Sequence, residues 1–215
     1  MKIILLNILL IFLSLNCEFK RELIFNSEIG SQNLKVQVLV FDLKTNKKTK
    51  ELLVELNQEG KIVFSDTLTI EMNEEPMIEL REINGDETDD LLIEYLRPGR
   101  GGNKVSMLYI FDESNLKLNR IPNSIFFPNL SYNENLNFIS SFRFYGGNAV
   151  QMDFLKIEKD TLCSKYIITK EDEKVYIKKF KKGKWVEIGE ETIDSDIIIP
   201  KIISLKPEVI IEITN

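Results

Sequence analysis

Alternation of apolar and polar residues with a period of two runs through most of this chain and constrains its fold more than any other feature. Residues 34–43, LKVQVLVFDL, place three valines on one face of a strand. Residues 52–72 are typical of two strands joined by a tight hairpin turn at Glu59-Gly60. No window has the 3.6-residue period of an amphipathic helix. We therefore predict an all-β fold, an antiparallel meander or sandwich of about ten to twelve strands with a loop-rich stretch at 113–136.

The first seventeen residues have the pattern of an export signal. Lys2 precedes an apolar run from Ile3 to Leu13, which is too short to remain as a membrane span. Cys17 follows this run and resembles the cysteine of bacterial lipoprotein signals, which is lipidated and becomes the first mature residue. The alternatives are an ordinary secreted protein, an uncleaved N-terminal anchor, and a disulfide between Cys17 and Cys163, the only other cysteine.

The predicted organisation follows from this signal. Residues 1–16 are assigned to a signal peptide and residues 17–33 to a lipidated tether that ends in a first strand. Residues 34–215 are assigned to a single all-β domain, within which 34–76 form a candidate N-terminal β layer. The expected location is the cell envelope, with the protein lipid-anchored and facing the periplasm or the cell surface.

Composition excludes several classes of function. The chain has no histidine, which rules out Ser-His-Asp and Cys-His catalysis and histidine zinc sites. Its net charge of −6 argues against a nucleic-acid partner, which requires clustered Lys and Arg. The densest basic run, KKFKKGKW at 178–185, is typical of the exposed side of a hairpin. We do not expect an enzyme, and a glycosidase that uses a carboxylate pair such as Glu94 and Glu82 is the least favoured reading.

An acidic loop at 82–90, EINGDETDD, precedes an apolar strand. Calcium takes roughly six to eight oxygen ligands, and a tight loop with an oxygen donor at nearly every second residue can supply them. The candidate donors are the side chains of Glu82, Asn84, Asp86 and Asp90 and the backbone carbonyl of Thr88. Position twelve of the loop is Ile93 and strands flank it, so the loop is not an EF-hand. The alternative is a solvated acidic turn in which Asn84-Gly85 supplies a bend with positive φ.

The loop resembles the strand-loop-strand calcium loops of FG-GAP-like proteins, whose pattern is matched at Asn84, Asp86, Asp90 and Leu91. Glu82 stands where that pattern prefers Asp, and Glu87 stands where it prefers Gly, which predicts local strain or weak affinity. A propeller built from such loops would repeat the motif, and this chain has one copy.

The order of elements after the loop resembles the calcium-binding periplasmic inhibitor family. These elements are the strand at 89–96, the glycine-rich turn at 97–103, the strand at 104–112, a loop-rich middle and the late strands that end at 174–185. The family includes the i-type lysozyme inhibitors and the immunity lipoproteins that protect Xanthomonas-like bacteria from peptidoglycan hydrolases delivered by a type IV secretion system. The resemblance implies an all-β inhibitor that blocks the cleft of a hydrolase with a protruding loop.

Two loops are candidates for contact with such a partner. Both combine hydrogen-bond donors with glycines that let the backbone approach a partner closely. Their candidate contact residues are Arg97, Arg100 and Asn103 in the first loop and Tyr145 and Asn148 in the second. The predicted function is therefore a calcium-binding envelope lipoprotein that inhibits a peptidoglycan hydrolase and touches the membrane only through its lipid anchor. A structural or ligand-binding envelope lipoprotein without inhibitory activity is the alternative.

Overall fold

The protein is described by a computed structural model at residues 21–42, 49–72, 74–96, 102–134, 136–146, 149–171 and 174–192. These residues contain fourteen β-strands and one short 3-10 helix at Pro122–Phe126. The strands are β1 (Arg21–Ile29), β2 (Leu34–Asp42), β3 (Thr49–Gln58), β4 (Lys61–Glu71), β5 (Met77–Arg81), β6 (Asp90–Leu96), β7 (Lys104–Asp112), β8 (Lys117–Ile121), β9 (Leu130–Asn133), β10 (Phe138–Gly146), β11 (Ala149–Glu158), β12 (Thr161–Glu171), β13 (Lys174–Lys181) and β14 (Lys184–Thr192). The predicted all-β class is confirmed.

The strands form three antiparallel sheets, each made largely of neighbours in sequence. The first sheet is four-stranded in the order β1-β2-β3-β4, and the middle sheet is four-stranded in the order β5-β6-β7-β8. The third sheet is six-stranded, in the order β14-β13-β12-β11-β10-β9. Short connections between adjacent strands explain why a meander satisfies the backbone hydrogen bonds so directly.

The middle sheet is packed on both faces. One face contributes Leu91, Ile93 and Met107 to a core shared with the inner face of the first sheet. The other face contributes Leu92 and Leu108 to a core shared with β9 to β12 of the third sheet. Burial on both faces explains why β6 has the continuous apolar run Leu91–Ile93 where a half-exposed strand would alternate.

The hairpin predicted at Glu59-Gly60 is confirmed. Both residues have positive φ, 51° and 83°, and Gln58 pairs with Lys61 across the turn. The prediction of a loop-rich stretch at 113–136 underestimated its regular structure, since this stretch contains β8, the 3-10 helix and β9. Those short strands are stabilised by pairing with β7 and β10, which are partners that a local sequence pattern does not reveal. Within the described part of the chain, no helix has the length and hydrophobicity required to span a membrane.

Candidate functional site

The acidic loop connects β5 and β6 of the middle sheet and is closed by its own hydrogen bonds. Glu82 Oε1 accepts hydrogen bonds from the backbone N–H groups of Asn84 at 2.8 Å and Gly85 at 2.7 Å. Asp86 Oδ1 accepts one from the N–H of Thr88 at 2.9 Å, and Asp86 Oδ2 accepts one from the Asn84 side-chain amide at 2.7 Å. The loop is therefore a chain of turns in which each polar side chain caps the backbone two or three residues further on.

Asp90 closes this loop and is fully buried, with no exposed surface. Its Oδ1 accepts a hydrogen bond from the N–H of Phe111 at 3.0 Å, and its Oδ2 accepts one from the N–H of Ile83 at 3.2 Å. Burial raises the pKa of the Asp90 carboxyl to about 8, and the nearby carboxylates of Asp86 and Glu82 add to this rise while the two backbone donors oppose it. Asp90 thus holds the loop against β7, although burial and the neighbouring carboxylates disfavour its charged form.

The candidate calcium ligands differ in how their oxygens are used. In the described residues, no group of three or more Asp, Glu or Cys side chains is placed so that it could hold a metal ion. One carboxylate oxygen in the loop lacks a partner. Glu82 Oε2 is buried and has no hydrogen-bond partner, a state that is unfavourable for a carboxylate oxygen unless a positive charge is bound nearby.

Two backbone positions fix the shape of the acidic loop. Gly85 has φ 85°, and a Cβ there would collide with the Tyr132 hydroxyl group of β9. Glu87 has φ 67°, the left-handed conformation that glycine adopts most readily. The sequence pattern that preferred Gly at position 87 therefore matches the backbone conformation, although the residue is Glu.

Asn103, a candidate contact residue, is bonded to β10, the strand that carries Tyr145. Its side-chain Nδ2 donates to the carbonyl of Phe144 at 2.7 Å, and its Oδ1 accepts from the N–H of Phe144 at 2.8 Å. Asn103 is only 6% exposed. Its amide thus takes the place of a neighbouring strand against β10, so its side chain holds β10 instead of facing a partner.

A second asparagine continues this arrangement along the same edge of β10. Asn129 donates from Nδ2 to the Phe142 carbonyl at 2.7 Å, and the Phe142 N–H donates to the Pro128 carbonyl at 3.2 Å. β9 pairs only with Phe138 to Ser141 of β10, so these contacts satisfy the edge beyond the end of β9. The β10 edge is thereby fixed where it approaches the second candidate loop.

Three residues next to this edge form a cluster that we call the aromatic edge: Phe126, Arg143 and Tyr145. The two aromatic residues are 60% and 57% exposed. Arg143 donates to the Phe126 carbonyl and to the Tyr145 hydroxyl, the latter at 3.0 Å, and its guanidinium lies 5.8 Å from the centroid of the Tyr145 ring. The sequence analysis selected Tyr145 but missed Arg143, two residues earlier in β10, and Phe126, which lies in the 3-10 helix that the fold brings beside β10.

The aromatic edge is connected to a buried carboxylate. The Tyr145 hydroxyl donates to Gln151 Oε1 at 3.0 Å, and Gln151 Nε2 donates to Asp153 Oδ2 at 2.8 Å. Ser164 donates to the other oxygen of Asp153 at 3.1 Å. Asp153 is 2% exposed, and burial raises its pKa, while the bonds from Gln151 and Ser164 and the charge of Arg143 oppose the rise. This network limits the positions that Tyr145 and Arg143 adopt.

Several other residues selected from the sequence have simpler positions. Arg97, Arg100 and Asn148 lie outside the described residues, as does Cys17. Cys163 carries a free thiol in β12. Glu94 is 5% exposed and is bonded to Lys104 Nζ and Ser106 Oγ, each at 3.2 Å, as expected of a structural carboxylate.

Comparison with known proteins gives distant structural likeness and no sequence match. No protein-family model matches the chain, and no curated protein matches its sequence. Among solved structures, it is similar to one described as "Structure of a Xanthomonas Type IV Secretion System related protein", at 15% identity and a TM-score of 0.49, over 79% of this chain and 99% of that one. At this degree of similarity the likeness assigns neither a family nor a function.

Proposed function

We propose that this protein is a lipid-anchored protein of the bacterial cell envelope that binds and inhibits a peptidoglycan hydrolase through the aromatic edge. The observation that carries the proposal is the pair of hydrogen bonds between Asn103 and Phe144. These bonds tie Asn103, the residue before β7, to the strand that presents Tyr145. A partner would therefore meet the end of β10 already fixed in position, which lowers the entropy cost of ordering it on binding.

The chemistry of the aromatic edge suits a protein partner. Tyrosine and arginine are enriched among the residues that dominate binding energy, and Tyr145 and Phe126 are more than half exposed. The cleft of a lysozyme-like hydrolase contains two carboxylates, with which an arginine can form charge-assisted hydrogen bonds. Arg143 is held between Phe126 and Tyr145, so it is the described arginine best placed for that role.

Calcium binding by the acidic loop belongs to the same proposal. It is supported by Glu82 Oε2, which is buried and has no hydrogen-bond partner. Glu82, Asp86 and Asp90 would hold the ion, together with Asn84 and the carbonyl of Thr88, once the loop has rearranged, because these carboxylates are not grouped for metal binding in the structure. Binding would require Asp86 to release hydrogen bonds that it now makes within the loop.

A ligand-binding role without inhibition is the second candidate, and a groove favours it. The groove has a volume of about 250 Å³ and lies between β4 and the connection from β8 to the 3-10 helix. Its lining residues include Tyr95, Met107, Ile125 and Arg120, whose guanidinium is ion-paired with Asp66 at 3.3 Å. A small apolar ligand with an anionic group matches that lining.

Inhibition of peptidoglycan hydrolysis tests the main proposal. The wild-type protein is expected to suppress clearing of cell walls by at least one lysozyme or secreted bacterial hydrolase and to bind that enzyme in a pull-down assay. Tyr145→Ala should weaken binding by about 2 kcal/mol or more, which corresponds to roughly a 30-fold rise in Kd. Phe180→Ala is the matched control, since Phe180 is an exposed aromatic residue on a different hairpin.

The outcomes separate the candidate functions. Clearing by the protein alone would overturn the proposal in favour of an enzyme. Failure of all hydrolases to bind at micromolar concentration, combined with binding of a small amphiphile whose affinity falls in Met107→Ala, would favour the ligand-binding alternative. The anchor is tested separately by mass spectrometry of the mature protein, in which an N-terminal residue other than lipidated Cys17 would contradict lipidation.

A further inference from the structure

The β13–β14 hairpin ends in a tip where aromatic and basic side chains are concentrated. Phe180 pairs with Trp185 across the two strands, and their rings meet edge to face at 5.2 Å between centroids. The rings are 44% and 39% exposed, and each residue from 180 to 185 is exposed. The turn itself is formed by Lys182 and Gly183, both with positive φ, so the tip is a tight turn of defined shape.

The charge of the tip is opposite to that of the whole protein. Five lysines lie within 178–184, whereas the full chain has a net charge of −6. Lys181 and Lys184 face each other in the strand register, and Lys182 lies in the turn between them. Lys178 is paired in register with Glu187, and the Lys179 ammonium group lies 5.0 Å from the centroid of the Tyr166 ring. The exposed lysines at the tip itself are Lys181, Lys182 and Lys184.

We propose that this tip docks on the surface of a membrane rich in anionic phospholipid. Tryptophan and phenylalanine favour the boundary between headgroups and acyl chains, and lysines favour the phosphate layer just outside it. Basic residues near an anionic bilayer are attracted to it, and the gain is largest when several lie together. The exposed Phe180–Trp185 pair distinguishes this surface from a purely electrostatic one, because lysines alone would suffice for a soluble acidic polymer. The contact is additional to any lipid anchor at Cys17.

The single tryptophan of the protein makes the proposal directly measurable, since all indole fluorescence comes from Trp185. The full mature chain would be reconstituted into phosphatidylcholine vesicles with and without phosphatidylglycerol, each containing lipids brominated on the acyl chains. We expect bromine to quench Trp185 in the anionic vesicles and not in the neutral ones. Because the signal reports only the tip, an anchor elsewhere in the chain does not produce it.

Charge reversal at the tip supplies the decisive variant. In Lys181→Glu/Lys182→Glu/Lys184→Glu, the equilibrium constant for docking, taken from the quenched fraction, should fall at least about 100-fold, because each lysine near an anionic surface contributes roughly fivefold and each glutamate adds repulsion. The matched control, Lys61→Glu/Lys117→Glu/Lys159→Glu, changes net charge equally at exposed lysines elsewhere and should dock like the wild type. Phe180→Ser should also reduce quenching while it preserves all the charges.

Three results would overturn the proposal. The first is absence of quenching in anionic vesicles, and the second is equal quenching in neutral and anionic vesicles. The third is a blue shift of Trp185 on addition of soluble polyglutamate without quenching by brominated lipid, which would assign the tip to an acidic macromolecule. Circular dichroism of each variant would establish that the sheet is intact.

Discussion

The side-chain amide of Asn103 satisfies both backbone polar groups of Phe144, a residue 41 positions further along the chain, with bonds of 2.7 and 2.8 Å. A side chain from the β6–β7 connection thereby replaces a strand at the edge of the third sheet. This links the middle and third sheets beside Tyr145, at the place where we propose that a partner binds.

Replacement of Asn103 by alanine should therefore have two effects. The free energy of unfolding should fall by about 1–2 kcal/mol, because the polar groups of Phe144 lose their partners. Inhibition of the hydrolase should weaken as well, since Asn103 no longer fixes the end of β10 that carries Tyr145. Asn115→Ala is the control, because Asn115 bonds only within the exposed turn after β7 at Asp112 and Ser114. Equal inhibition by both variants would show that the bridge plays no part in binding.

Calcium should stabilise the protein if the acidic loop binds it. At calcium concentrations a thousand times the dissociation constant, the free energy of unfolding should rise by about 4 kcal/mol. Asp86→Ala should abolish most of this gain. Asp89→Ala, which removes an exposed carboxylate from the same loop, should preserve it. Thermal unfolding in calcium and in chelator measures the effect, and an unchanged Tm for the wild type would exclude the site.

Glu87 is expected to be a point of stored strain. Its φ of 67° costs a non-glycine residue about 1–2 kcal/mol. Glycine would avoid this cost, but it loses more conformational entropy on folding, so the net gain from a glycine here is smaller. Glu87→Gly should therefore raise the free energy of unfolding by about 1 kcal/mol. Glu87→Gln removes the same charge but keeps a Cβ at this positive φ. Urea unfolding of the two variants therefore separates backbone strain from repulsion between loop carboxylates. Equal stabilisation by both would assign the effect to charge.

Asp153 should make stability dependent on pH. Burial raises the pKa of its carboxyl above the ordinary 3.8, so the folded protein favours the protonated form. The associated stabilisation is fully present below pH 3.8 and is lost as pH rises through the folded pKa, by at most about 1.4 kcal/mol per pH unit.

Asp153→Asn removes this dependence and can still bond Gln151 and Ser164. The variant should therefore be more stable than the wild type at neutral pH, with a difference that closes as pH falls. Urea unfolding between pH 4 and pH 8 measures it. Asp160→Asn, at an exposed turn, serves as the control. A constant difference at all pH values would mean that the buried charge is not its cause.

The sequence alone determined the class of the fold and one turn within it. Alternation along β2 to β4 required strands, and Glu59-Gly60 required a tight hairpin, because both depend on residues adjacent in the chain. The same local reasoning identified position 87 as one that suits glycine, and the backbone there has the left-handed conformation. It also identified Tyr145 as an exposed residue near a turn.

Tertiary structure alone decided which of the selected residues face solvent and what they contact. Asp90 looked like one of several equivalent loop carboxylates, yet packing against β7 buries it and joins it to Phe111. Asn103 looked like an exposed donor, yet its partner lies in β10. Phe126 meets Arg143 and Tyr145 of β10 only because that strand lies beside the 3-10 helix. Such contacts depend on how the sheets stack and exclude water. A period of two specifies which face of a strand is apolar, but it does not specify which sheet covers that face.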